Sequence, residues 1–126
     1  MQMGNHSMIK GKIVLVPFPF NDLSSVKLRP AACLTNPISP HRHVVLAFIT
    51  SQTPDDILES DIVLNSSRDD FNTTGLRVSS TIRLHRLMTV SASIIERELG
   101  ELSPQMQVEV NKKLRKLFEY NSNPKK

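Results

Sequence analysis

The stretch VPFPFNDLSSVKLRPAACLTN, residues Val16–Asn36, decides the fold, because two apolar segments in it flank a polar loop. The first segment reaches back to Lys12 as KIVLVPFPF, and the second is PAACLTN. Short apolar runs bounded by turn residues favour β-strands. Pro17 and Pro19 lack the N–H that a sheet ladder needs. We therefore expect the second half of the first strand at a sheet edge or leaving the sheet.

The polar loop Asn21–Leu28 leads directly into Arg29 and Pro30. Two interpretations fit this order of residues. The loop is either a solvated connection between ordinary strands, or a loop that acts together with the arginine to hold a phosphate.

Further strands are indicated downstream. The three clearest apolar segments are HVVLAFIT (43–50), DIVL (61–64) and STIRLHRLMTV (80–90). The first of them should form a hairpin with PAACLTN, since the intervening PISPHR carries two turn-forming prolines. A shorter segment, 71–78, surrounds Gly75. In the last strand, period-two alternation predicts that Arg83 and His85 share one face.

One amphipathic helix is predicted near the C-terminal end. Ser103 is a suitable N-cap, and Pro104 suits the first helical position. Apolar residues with helical spacing follow at Met106, Val110, Leu114 and Leu117. The other segments have no helices between them, which a parallel α/β sheet would require. We therefore expect a mainly β protein, a small antiparallel barrel with a C-terminal amphipathic helix.

The length and composition suit one compact domain, since the chain has 126 residues of which 39% are hydrophobic. We expect a barrel at 11–120, with flexible tails at 1–10 and 121–126. No apolar run approaches the roughly 18 residues of a membrane span, and the N-terminus lacks the apolar centre of a secretory signal. The lone Cys33 lies in an apolar segment, so we expect a buried free thiol and a reducing cytoplasm.

The charge is distributed in blocks, although the net charge is only +4. Residues 1–50 carry five basic side chains against one acidic, whereas 51–70 carry six acidic against one basic. Residues 71–95 then hold three arginines and no acid. Such a map suits a face that binds a polyanion, but solvated surface charge produces similar blocks.

The order of these segments resembles that of MazF/PemK-type toxins. GKIVLVPFPFNDLSSVKLRPAACLTN is similar to their opening strand, variable loop and Arg-Pro-Ala element. VVLAFITSQ resembles their next strand, and TGLRVSSTIRLHRLMTV with Gly100, Leu102 and the final helix resembles the remainder. The resemblance covers Gly11–Phe118. It implies an SH3-like barrel that forms a homodimer and cleaves single-stranded RNA, including mRNA, without a metal or other cofactor. It also implies a cognate antitoxin whose acidic or disordered segment fills the RNA groove.

The resemblance carries over to a small set of residues. Arg29, Thr50 and Arg83 fall on the family's site positions, with Ser51 beside the threonine. An acid found in some relatives of this family is replaced here by His85. The expected RNA contacts are Lys27, Arg29, Ser51, Arg83 and Arg86.

The residue types suit metal-free cleavage of RNA, in which the ribose 2′-OH attacks the adjacent phosphate. Arg29 and Arg83 can hold phosphate oxygens with forked, permanently charged donors, but they are poor proton acceptors. Thr50 could orient a phosphate oxygen. His85 suits acid or base work near neutral pH, and Asp22 is the acidic alternative.

Each of these assignments has a structural alternative. The arginines could form surface ion pairs, Thr50 and Ser51 could simply end a strand, and His85 could be an exposed strand residue. His41 and His43 are spaced like metal ligands but have no cysteine or carboxylate partner nearby, so no metal site is proposed.

Two other functions stay open at this stage. Toxins of the same small barrel can poison DNA gyrase without cleaving nucleic acid. A plain RNA-binding barrel is the second alternative, but such proteins usually offer stacking aromatics, and the phenylalanines here mostly have apolar neighbours.

Overall fold

The computed structural model describes residues 8–19, 26–52 and 55–120. The predicted tails up to residue 7 and from residue 121, and the part of the polar loop at 21–25 that contains Asp22, lie outside the described residues. At the N-terminal end Ile9 is buried, so packing begins before the predicted boundary at Gly11.

The described residues form six β-strands and one α-helix, which confirms the predicted class of a mainly β protein with a C-terminal helix. The elements are β1 Lys12–Pro19, β2 Val26–Cys33, β3 His43–Thr50, β4 Asp61–Leu64, β5 Ser80–Ser91, β6 Arg97–Glu101 and α1 Pro104–Phe118, with 3-10 helices at Phe71–Thr74 and Ala92–Ile94. The strands form one antiparallel sheet in the order β4-β5-β3-β2-β1-β6, curved into a half-barrel.

The first strand has the edge that its prolines predict. β6 pairs with β1 only from Lys12 to Leu15. The half that contains Pro17 and Pro19 therefore has β2 as its single neighbour among the described strands. Because proline has no N–H, that half could not have supplied a regular second ladder.

The second strand differs from its predicted bounds. It begins at Val26 and not at Pro30, because the residues before the proline pair with β1, as in Lys27 opposite Phe18 and Arg29 opposite Val16. The predicted hairpin with β3 is present as an antiparallel pair. The segment 71–78 is not a strand, since its first four residues form a 3-10 helix that ends at Gly75.

The two faces of the sheet carry separate apolar clusters. The first cluster includes Ile13, Ile82, Met106 and Val110, so α1 covers this face. The second cluster includes Val14, Val16, Ala31 and Leu46, which alternate with residues of the first cluster along their strands. Side chains on the second face therefore lie on the side of the sheet opposite α1.

Two glycines permit a close contact at the end of the sheet. Gly75 has a φ of 73°, and a Cβ added there would lie 2.0 Å from the carbonyl oxygen of Leu99. A Cβ on Gly100 would lie 2.3 Å from the carbonyl oxygen of Thr73. The 3-10 helix can approach β6 only because both positions lack a side chain.

The helix begins as the sequence predicts. Ser103 Oγ accepts a hydrogen bond from the Met106 N–H at 3.0 Å, and Pro104 occupies the first position. The same hydroxyl donates to Asp70, whose carboxylate also accepts from Arg68 Nε at 2.9 Å. These hydrogen bonds, that of Arg68 first, lower the pKa of Asp70 to about 2. The helix start is thus tied to the loop before the 3-10 helix by a charged group.

The buried thiol of Cys33 is present as predicted, with 1% of the residue exposed. Removal from water disfavours the thiolate, and burial therefore raises the pKa of Cys33 to about 12. Within the described residues, no helix is long and apolar enough to cross a bilayer.

Candidate active site

The candidate site lies where β2 and β3 separate. Their pairing runs from Cys33 opposite Leu46 to Ala31 opposite Phe48, and it ends there. The next residue of β2 is Pro30, which has no N–H to continue a ladder. Continuing the same register would set Thr50 opposite Arg29, so the two predicted residues face each other across the gap.

This gap opens into a pocket of about 420 Å³, a volume within the usual range for small-molecule sites. The pocket contains three arginines and one carboxylate, together with hydroxyl, amide and aromatic groups. Its lining residues are Phe18, Arg29, Phe48, Ile49, Thr50, Ser51, Gln52, Asp55, Arg83 and Arg86. An excess of cationic side chains around an open pocket favours an anionic ligand.

A buried carboxylate on the neighbouring strand orients Arg83. It pairs across the sheet with Asp61 of β4, and its Nε lies 2.9 Å from Asp61 Oδ1. The Asp61 side chain is 0% exposed, while that of Arg83 is 20% exposed. Among the described residues neither of these two atoms has a well-aligned hydrogen bond, so the contact is an ion pair.

Asp61 is itself held by two further contacts. Its Oδ2 accepts a hydrogen bond from the Leu58 N–H at 2.8 Å, and its carbonyl oxygen accepts one from Lys113 Nζ of α1 at 2.7 Å. The carboxylate that orients Arg83 is therefore fixed by the preceding turn and by the helix.

Two phenylalanines form an aromatic corner of the pocket. The ring centroids of Phe18 and Phe48 are 4.7 Å apart, and the rings meet edge to face at 78°. The guanidinium carbon of Arg86 lies 5.6 Å from the Phe48 ring centroid, within the range of a cation–π contact. The aromatic corner, Phe18 and Phe48, thus places an apolar surface beside the cationic groups.

Five of the predicted site residues come together here, namely Arg29, Thr50, Ser51, Arg83 and Arg86. The Thr50 hydroxyl accepts a hydrogen bond from the Gln52 N–H at 3.2 Å, which fixes the chain as it leaves β3. Lys27 is exposed and shares the β2 face of Arg29, but it does not line the pocket.

The pocket contains Arg83 but not the predicted His85. Phe48 pairs with Arg83, but the adjacent Ala47 pairs with Leu87, so β5 contains a bulge at residues 84–86. Ile82 and Leu84 both belong to the first apolar cluster, so Arg83 and His85 still share the opposite face, and the bulge alters the alternation after them. His85 is exposed and lies outside the pocket, whereas Arg86 lines it.

Four functional candidates are not indicated by the sequence. Phe18 and Phe48 have apolar neighbours that suggest core positions, Asp55 belongs to an acidic block that suggests a solvated loop, and Asp61 begins the predicted strand DIVL. The edge position of β1 is the one available signal for Phe18. The positions of Phe48, Asp55 and Asp61 in the site depend on strand register and on loop placement, which local sequence does not indicate.

No group of three potential metal ligands occurs in the described part of the chain. His41 and His43 are both exposed, and their rings stack with centroids 5.7 Å apart. They lie outside the pocket that contains the arginines.

A comparison with protein families identifies the kind of protein that carries this pocket. A profile described as a PemK-like, MazF-like toxin of type II toxin–antitoxin systems matches residues 9–118. The chain belongs to this toxin family. The resemblance drawn from the ordered segments is thereby confirmed. A sequence comparison with curated proteins gives no match.

Solved structures of the MazF type share the fold at low sequence identity. The Mycobacterium tuberculosis toxin MazF-mt6 superposes with a TM-score of 0.64 at 17% identity, covering 87% of this chain and 98% of that one. An endoribonuclease from a mycobacterial species gives a TM-score of 0.61 at 14% identity, covering 87% of this chain and 89% of that one. A mycobacterial endoribonuclease in complex with its cognate antitoxin gives a TM-score of 0.64 at 14% identity, covering 90% of this chain and 98% of that one.

Proposed function

We propose that this MazF-like toxin is an endoribonuclease that cleaves single-stranded RNA by attack of a ribose 2′-OH on the adjacent phosphate. The observation that carries the proposal is the convergence of Arg29, Thr50 and Arg83 on one pocket. Two of the structural neighbours are named endoribonucleases, which supports the same reaction.

The arginines perform the electrostatic part of this reaction. Attack by the 2′-oxygen adds negative charge to the phosphoryl oxygens, and preorganised cationic donors stabilise that charge. Arg83 contacts Asp61 through Nε, and its two Nη groups supply donors for a phosphate. Arg29 stands on the other side of the gap, so a phosphate between the strands meets both guanidinium groups. The Thr50 hydroxyl orients one phosphoryl oxygen.

The proton of the 2′-OH needs an acceptor, and Asp55 is the carboxylate among the described lining residues. We assign it the role of general base, because His85 lies outside the pocket and guanidinium groups do not accept protons near neutral pH. Bond formation from the 2′-oxygen to phosphorus then breaks the bond to the 5′-oxygen, which takes up a proton as it leaves.

The test is incubation of the purified protein with a mixed RNA pool in EDTA. Cleavage to fragments with 2′,3′-cyclic phosphate ends is expected, because 2′-oxygen attack forms that ring and needs no metal. Retention of RNA without cleavage would instead indicate a binding module, and inhibition of gyrase without RNA cleavage would indicate a gyrase poison.

The proton acceptor is tested separately with matched substitutions. Asp55→Asn should lower the cleavage rate by about 10²-fold or more, because an amide does not accept the 2′-OH proton. Asp56→Asn is the control, because Asp56 is an exposed neighbour outside the pocket. If His85→Ala lowers the cleavage rate by that amount while Asp55→Asn leaves it unchanged, the base is the histidine.

The proposed partners follow from the same site. We propose a cytoplasmic toxin that a cognate antitoxin neutralises by placing an acidic segment over the arginines. One structural neighbour is an endoribonuclease in complex with its cognate antitoxin, which supports this proposal. We also propose a homodimer whose two copies together form the RNA groove. Light scattering that finds only a 14.2 kDa species at micromolar concentration would contradict the dimer.

A further inference from the structure

The aromatic corner of the pocket has no role in holding a phosphate. Phe18 and Phe48 belong to neither apolar core cluster of the described residues, and each remains partly exposed. Both lie on the face of the sheet that carries Arg29, since Phe18 pairs with Lys27 and Phe48 pairs with Ala31. The two rings therefore stand beside the proposed phosphate position without filling the interior.

The contact between Arg86 and Phe48 adds a second planar surface to this corner. The guanidinium lies 5.6 Å from the ring centroid, and β5 brings it there through the bulge at residues 84–86. Aromatic rings and guanidinium planes are the two kinds of side-chain surface on which unpaired bases stack. Proteins that bind single-stranded nucleic acid combine contacts to its phosphate backbone with side-chain surfaces on which its bases stack.

We propose that Phe18, Phe48 and Arg86 form a stacking subsite for one nucleobase of the RNA strand, adjacent to the phosphate held by Arg29 and Arg83. This inference rests on the proposed function. The base stacks on the exposed surface of Phe48, Phe18 supports that ring edge to face, and the guanidinium borders the base. The pocket of about 420 Å³ lies within the usual range of sites that hold one small ligand, which suits a single nucleotide. Stacking alone discriminates weakly between bases, so this subsite orients the strand and sets the register of cleavage.

The test uses a random-sequence single-stranded RNA in which every ribose carries 2′-fluorine, so that attack by a 2′-oxygen cannot occur. Fluorescence anisotropy gives the affinity, and a central 2-aminopurine reports stacking through quenching of its emission. Phe48→Leu keeps an apolar side chain but removes the π face. It should weaken binding about 10-fold and abolish the quenching.

Two further variants separate stacking from folding. Phe48→Trp enlarges the aromatic face and should retain both affinity and quenching, whereas a purely structural role would not be served by a larger ring. Phe118→Leu is the matched control, because Phe118 is 61% exposed at the end of α1 and should leave both readouts unchanged. Thermal unfolding of all variants identifies any that fail to fold.

The outcomes distinguish this subsite from the proposed reaction. If the wild type cleaves natural RNA but folded Phe48→Leu binds and quenches like the wild type, the subsite is refuted and the reaction stands. If the wild type fails to cleave but its quenching is lost in Phe48→Leu, the reaction is refuted and the stacking surface stands.

Discussion

Replacement of Asp61 by asparagine tests the ion pair that orients Arg83. The change keeps the shape of the side chain and an acceptor for the Leu58 N–H, but it removes the charge. Breaking a buried pair through loss of one partner costs about 3 to 5 kcal/mol. Arg83 is 20% exposed and keeps some hydration, so we expect the lower end, about 3 kcal/mol of the free energy of unfolding.

The difference in burial of the two partners predicts an asymmetry. Arg83→Met leaves a carboxylate with 0% side-chain exposure without its counter-charge, whereas Asp61→Asn leaves a cation that still reaches water. Arg83→Met should therefore destabilise the fold more than Asp61→Asn. The double variant should recover much of the summed loss, because it leaves neither charge unpaired.

Urea unfolding of the four proteins measures these differences, with Lys116→Met as the control. Lys116 pairs with Glu59 at 3.0 Å, but both side chains are largely exposed, so no measurable change is expected. Asp61→Asn should also slow RNA cleavage, and it should have little further effect in the Arg83→Met background. Equal urea midpoints for the wild type and Asp61→Asn would refute the reasoning.

Arg29→Ala should lower cleavage roughly 10²-fold or more through the lost charge-assisted contact, and Arg29→Lys should rescue it only partly, as measured by single-turnover kinetics. Affinity for uncleavable RNA should fall as salt rises, and an unchanged affinity would contradict phosphate contacts. The pKa of Asp70 in the folded protein is about 2 and its ordinary value is 3.8. Its stabilisation is therefore complete above the ordinary value and is lost as pH falls toward 2. Acid should then destabilise the wild type more than Asp70→Asn in urea titrations at each pH. With its pKa at about 12, Cys33 should resist iodoacetamide at pH 8 until urea unfolds the chain.

The strand and helix pattern can be predicted from local sequence, because it depends on nearby residues. Ser103 and Pro104 specify the helix start through a cap and a fixed φ, and the β1 prolines specify an edge. β6 is not indicated, because RELGE at Arg97–Glu101 has little apolar alternation. Its pairing with β1 is determined by the sheet and by the missing side chains of Gly75 and Gly100.

The site is predictable only as far as a residue acts by its own chemistry. Arg29, Thr50 and Arg83 are indicated by their types and by the family resemblance. The burial of Asp61 depends on a partner 22 positions away, Arg83 on β5. Arg86 lines the pocket beside a bulge, and nothing in the letters LHR distinguishes a bulge from regular alternation.

The pocket lies at two interruptions of the sheet. Pro30 ends the β2–β3 ladder and separates Arg29 from Thr50, while the bulge in β5 brings Arg86 next to Phe48. Three arginines around one pocket repel one another, and contacts within the fold reduce this cost. Asp61 compensates Arg83 and the Phe48 ring receives Arg86, yet Asp55 is the one carboxylate on the described lining. A bound anion would lower this repulsion further, so binding of RNA phosphate should stabilise the fold.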